Sequence, residues 1–151
     1  MGSMSFDVGG FLLQTVPFAR TLGITFDSAG DGRAICRLPD RPDLHNHVGG
    51  PHAGALFTLA ESASGAAMLS ALADQLSRAV PLATTAVIHY RKLAMGEVVA
   101  EGRLLASREE VLADLDAGKR PEFDVAVDVK NADGVVVAAL TVTWTLRPNR
   151  T

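Results

Sequence analysis

The sequence predicts an α+β domain, a curved antiparallel sheet of about six strands wrapped around one long central helix. The first observation behind this is an unbroken apolar segment, residues 53–73, built from Ala, Leu, Gly, Ser and Met, in which Glu61 is the only charge. It has no Pro and no β-branched residue except Thr58, so it reads as a helix. Its apolar residues lie on every side, so protein or lipid must surround it. Lipid would place Glu61 near mid-membrane, a costly position, so a protein wrapping is expected. The second observation is a set of stretches with period-two alternation, each with one hydrophobic face to lay on that helix. The third is their order, two before the helix and four after it, separated by Gly-, Asp- and Asn-containing turns.

In chain order, residues 5–20 suggest a short amphipathic helix, interrupted near Gly9 and Gly10 and closed around Pro17. Residues 21–28 and 33–38 read as strands joined by the turn Ala29-Gly30-Asp31-Gly32. Ala34, Cys36 and Leu38 share one face of the second strand. Pro39-Asp40-Arg41-Pro42-Asp43 then breaks regular structure before a loop rich in His, Asn and Gly and the central helix. After it, residues 84–93 and 97–106 read as strands. A charged insertion follows at 107–120, with a short helix over 109–116 ending at Gly118. Phe123, Val125, Val127 and Val129 form one face of the fifth strand. Val136, Ala138, Leu140, Val142, Trp144 and Leu146 form one face of the sixth, with Thr141, Thr143 and Thr145 opposite.

The 151 residues suit one domain, 1–151, with 48% hydrophobic and 21% charged residues marking a packed core rather than disorder. Residues 1–3 read as a cloning remnant before Met4, and 4–20 as an N-terminal helical segment. A net charge of −3 without Lys/Arg blocks argues against a nucleic-acid partner. The single Cys36 excludes an intrachain disulfide, and no signal peptide is apparent, so a cytoplasmic location is expected.

The loop and helix carry the chemistry. Asn46, then His52, Ala53 and Gly54, then Glu61 resemble the Asn-x5-His-Gly-Gly-x6-Asp/Glu pattern of hotdog-fold acyl-CoA thioesterases of the phenylacetate-pathway type. The order of elements from about Pro17 onward is similar to the same fold. Ala53 stands where the family commonly has Gly, and Glu61 where many members have Asp. The resemblance implies hydrolysis of an acyl-CoA at a site shared between subunits of a dimer or dimer of dimers, with no cofactor beyond the coenzyme A of the substrate. The long insertion at 107–120 is expected to reshape the pocket mouth.

Thioester hydrolysis needs a base or nucleophile, donors for the oxyanion and a slot for the acyl group. Glu61 on a buried helix suits the first, because burial raises a carboxyl pKa towards the working range. The alternative is a buried carboxylate paired with a Ser, Thr or His. The Ala53 and Gly54 amides open the helix without intrahelical acceptors and suit the oxyanion. Asn46 orients the water or the carboxylate, or is only a turn residue. His52 is a proton-transfer candidate or a loop cap. The resemblance implies that Thr84 or Thr85 faces the thioester; Arg91, Lys92 and Arg103 would meet the phosphates of coenzyme A or simply be solvated. His45, His47 and His52 with Glu61 match no standard zinc spacing, so no metal is assigned. Two other functions compete: a non-catalytic module that binds an acyl or aryl ligand, and a hotdog dehydratase. The residues 11–18 and 66–76 are expected to line the far end of the acyl pocket.

Overall fold

The computed structural model describes residues 6–150; the expected cloning remnant lies outside the described residues. Two short helices, α1 (Val8–Thr15) and α2 (Pro17–Thr21), lead into strands β1 (Thr25–Gly30) and β2 (Arg33–Leu38). After this strand pair comes the central helix, α3 (Ala53–Leu72), followed by β3 (Ala79–Tyr90), β4 (Val98–Leu104), α4 (Arg108–Asp116), β5 (Glu122–Lys130) and β6 (Val136–Pro148). All neighbouring strands are antiparallel, in the order β1-β2-β4-β5-β6-β3. This is the α+β architecture expected, a six-stranded sheet over one long helix.

Helix α3 is buried along most of its length, from Ala55 and Leu56 through Leu59, Ala63, Ala66, Ala67 and Leu72. The inner faces of β2 (Ala34, Cys36, Leu38), β5 (Phe123, Val125, Val127, Val129) and β6 (Leu140, Val142, Trp144, Leu146) complete the core. Small residues let helix and sheet approach closely. A Cβ on Gly102 of β4 would stand 2.8 Å from the Ala63 carbonyl oxygen, so only Gly fits there without moving the helix. Of the described residues, α3 with its short extension is the one helix long and apolar enough to cross a membrane, and it is the buried core.

Several boundaries differ from expectation for physical reasons. Gly9 and Gly10 lie inside α1, whose N-cap Asp7 accepts from the Gly10 N–H at 3.0 Å; the break comes at Val16, and Pro17 opens a second helix instead of closing the first. That second helix and the Gly23 turn delay β1 to Thr25. The hairpin turn tightens to Asp31 and Gly32, both at positive φ. Strand β3 starts at Ala79, five residues early: Pro81 is tolerated because β3 is an edge strand. It ends at Tyr90, since the Arg91 and Lys92 N–H groups share one acceptor, the Val137 carbonyl. On β6, a register shift against β5 between Val129 and Lys130 buries Val137 and leaves Val136 half-buried. Thr145, expected outside, is buried and donates to the Pro121 carbonyl at 2.7 Å.

Candidate active site

The loop before α3 is organised by Asn46. Its Oδ1 accepts from the Val48 and Gly50 N–H groups at 2.9 and 3.2 Å, and its Nδ2 donates to the Pro51 carbonyl at 3.4 Å. Gly50 is buried against the Ala94 backbone, where a Cβ would collide with the carbonyl oxygen, so the loop is pinned to the segment after β3. His52 is the N-cap of α3: its Nδ1 accepts from the Gly54 N–H at 2.8 Å. The Gly54 amide is therefore engaged, whereas the Ala53 N–H, first of the helix, meets no acceptor among the described residues. Ala53 is exposed and sits at the positive end of the helix dipole. Its carbonyl accepts a hydrogen bond from the Tyr90 hydroxyl at 3.0 Å.

Glu61 lies two turns further along α3, half-buried. Burial raises its carboxyl pKa above the ordinary value. No hydrogen bond to its carboxylate forms among the described residues, although it opens on a cavity of about 450 Å³. The cavity lies between α3 (Gly65, Met68, Leu69), the N-terminal helices (Phe11, Leu12) and Trp144. From the segments 11–18 and 66–76, Thr15 and Val16 line this cavity on one side and Leu76 on the other.

Within one chain the expected residues fall into two groups. Glu61 lines the apolar cavity; Asn46, Ala53, Arg91 and Lys92 line a second recess of about 350 Å³ with Tyr90 and Leu93. Thr84 and Thr85 lie on the edge strand, exposed, where Thr84 donates to the Thr143 carbonyl at 3.1 Å. Arg103 stands 3.9 Å from Asp128. Helix α4 lines a separate groove beside Asp74 and Ser70, so the insertion does not reach the Glu61 cavity of its own chain. The loop histidines are not gathered: His45 pairs with Asp40 at 2.6 Å and His52 caps the helix. Among the described residues no three His, Cys, Asp or Glu side chains are grouped to hold a metal ion. Cys36 is fully buried, and burial pushes its thiol pKa up, which rules against a nucleophilic role.

Residues 8–146 match the family described as a domain of unknown function, DUF4442. The chain belongs to the DUF4442 family. No curated protein matches the chain. Among solved structures, a Pseudomonas aeruginosa protein of unknown function described as a probable thioesterase is 26% identical, with a TM-score of 0.84 over 98% of this chain and all of that one. A conserved Pseudomonas aeruginosa protein is 29% identical, with a TM-score of 0.68 over 85% of this chain and 92% of that one. The E. coli PaaI protein from the phenylacetic acid degradation operon is 19% identical, with a TM-score of 0.74 over 99% of both chains, a likeness of fold. This DUF4442 chain has the hotdog fold of these PaaI-type neighbours.

Two residues beside these recesses of this DUF4442 chain escape a reading of motifs. Tyr90 reaches the first turn of α3 from a strand 37 residues away, and burial raises its hydroxyl pKa. Its only local signal is its place at the strand end beside Arg91. Trp144 lines the Glu61 cavity and donates its indole N–H to the Ser64 Oγ at 3.1 Å. Sequence alternation marks it as a core residue and says nothing of the cavity beside it.

Proposed function

We propose that this DUF4442 protein is a cytoplasmic acyl-CoA thioesterase that works as a dimer or dimer of dimers and needs no cofactor. The observation that carries the reading is Glu61, a half-buried carboxylate without a side-chain partner among the described residues, at an apolar cavity of acyl size. In the proposed reaction Glu61 takes a proton from a water as the water oxygen bonds to the thioester carbonyl carbon. The tetrahedral oxyanion is held by the Ala53 N–H at a helix N-terminus, and Asn46 orients the water with its remaining amide hydrogen. The C–S bond then breaks, the proton passes from Glu61 to the departing thiolate, and a carboxylic acid and free coenzyme A leave. Arg91 and Lys92 receive the phosphates.

A dimer is part of the proposal because each chain holds its base and its oxyanion donor in different recesses. Strand β3 offers the joining surface: it is a twelve-residue edge strand with Leu82, Val87 and Tyr90 exposed at 37%, 51% and 48%. Such an edge is normally covered. Pairing it with its symmetry copy would bring Glu61 towards Asn46 and Ala53 of the partner subunit. The test is free-thiol release from a panel of short, medium, long and aromatic acyl-CoAs. Turnover of at least one is expected. Binding without turnover of any would replace the enzyme by a ligand-binding module.

A further inference from the structure

The walls of the Glu61 cavity say what kind of acyl group it takes. Glu61 apart, the donor hydrogens of its polar side chains are spent within the chain. Thr15 Oγ1 donates to the Phe11 carbonyl at 2.8 Å, Ser62 Oγ to the Thr58 carbonyl at 2.7 Å, and Trp144 Nε1 to Ser64 Oγ at 3.1 Å. Apart from Glu61 at one end, the side chains facing the cavity offer no free N–H or O–H, and the acceptors left are the remaining lone pairs of the Thr15 and Ser62 hydroxyls, so a hydroxyl along the acyl group would be poorly compensated for the water it loses. The cavity is also long. Glu61, Gly65, Met68 and Leu69 follow one another on one face of α3, and eight residues of helix rise about 12 Å. Leu76, Val80 and Pro81, which follow that helix in sequence, also belong to the lining.

Gly65 opens this space one turn beyond Glu61. A Cβ there would lie 3.6 Å from Trp144 Cζ2 and 3.8 Å from Cη2, ordinary contact, so the glycine is not required by packing against the indole. What its missing side chain supplies is width beside Glu61. A compact aryl group would fill the first turn and leave the inner part void, which forfeits contacts on every facing wall.

We infer that the acyl group is a plain hydrocarbon tail of medium length, lying along α3 from Glu61 towards Leu76, with Gly65 and Leu76 as the residues that set its length. On the ~12 Å rise the tail has about eight to ten carbons. The inference rests on the thioesterase reading for the CoA end of the ligand, and its test separates the two. Trp144, the sole tryptophan of the chain, lines the cavity and reports its occupancy by fluorescence. Unbranched acyl-CoAs from two to sixteen carbons, their counterparts hydroxylated at the far end of the tail, and phenylacetyl-CoA are titrated into the Glu61→Gln protein, and thiol release is followed in parallel with Glu61 intact. Binding is expected to peak at eight to ten carbons, with hydroxylated tails at least tenfold weaker. Gly65→Val should move the peak to shorter tails and Leu76→Ala to longer ones. The same binding peak without thiol release in the Glu61 protein would end the thioesterase reading and leave the cavity assignment standing. A peak at phenylacetyl or at two to four carbons would overturn it. So would variants that fold, judged by circular dichroism, and weaken all ligands without moving the peak; Leu76→Ala, which adds no atoms, decides this if Gly65→Val does not fold.

Discussion

Glu61→Gln is expected to lose thioester hydrolysis by about 10² to 10⁴-fold in kcat while the protein becomes more stable at neutral pH. The two effects have one cause. Burial favours the neutral carboxyl and holds the Glu61 pKa above the ordinary carboxylate value. The folded chain therefore binds this proton more tightly than the unfolded one. By linkage, the ionised form costs stability progressively as pH rises from the unfolded value, about 4.3, through the raised folded value, and the cost is constant above it. The neutral amide does not carry that cost. Thermal unfolding at pH 7 should show the variant melting higher, by roughly 2–4 °C for each kcal/mol relieved, with the difference shrinking towards pH 4. The rate of the unsubstituted enzyme should rise with pH through the raised pKa, because only the ionised carboxylate accepts the proton of water. A variant that melts lower at pH 7 would mean that the carboxylate is paired in the assembled protein.

Ala53→Pro is the second large expected effect, about 10² to 10³-fold in kcat, the usual cost of removing one oxyanion donor. The substitution deletes one N–H and little else. Ala53 is the first residue of α3, the position where proline is favoured, and its N–H serves no acceptor among the described residues. His52 before it is already extended, at φ −63° and ψ 146°, as a residue preceding proline must be. Melting temperature should stay within a few degrees, and KM should change less than kcat. Unchanged kcat would remove the Ala53 amide from the mechanism.

The central helix was legible because its composition excludes a strand and its all-round apolarity demands a wrapping; the expected 53–73 and the observed Ala53–Leu72 nearly coincide. The inner faces of β2 and β5 were legible for the same local reason, strict alternation. What local pattern does not carry is register and approach. The slip that buries Val137 depends on how β6 meets β5, and the glycine at 102 answers to Ala63 on a helix 39 residues earlier in the chain. The third strand was expected from Thr84 but begins at Ala79 and takes in Pro81, which is tolerated at the edge of the sheet, and edge position is a property of the sheet. In the candidate site, Glu61, Asn46 and Ala53 were singled out by their resemblance to a family pattern. The hold of His52 on the Gly54 amide came only with the side-chain geometry, as did the grouping of Trp144 and Gly65 around one cavity.

The most direct test of the proposed shared site is to mix the two inactive proteins. Glu61→Gln and Ala53→Pro subunits are combined under conditions in which subunits exchange, and thiol release is measured from a medium-chain acyl-CoA. A heterodimer of the two would contain one site with both Glu61 and the Ala53 amide intact and one with neither. With random pairing, activity should return to about a quarter of the unsubstituted level. Activity that stays at the sum of the two parents, in a mixture shown to contain heterodimers, would contradict a site built across subunits.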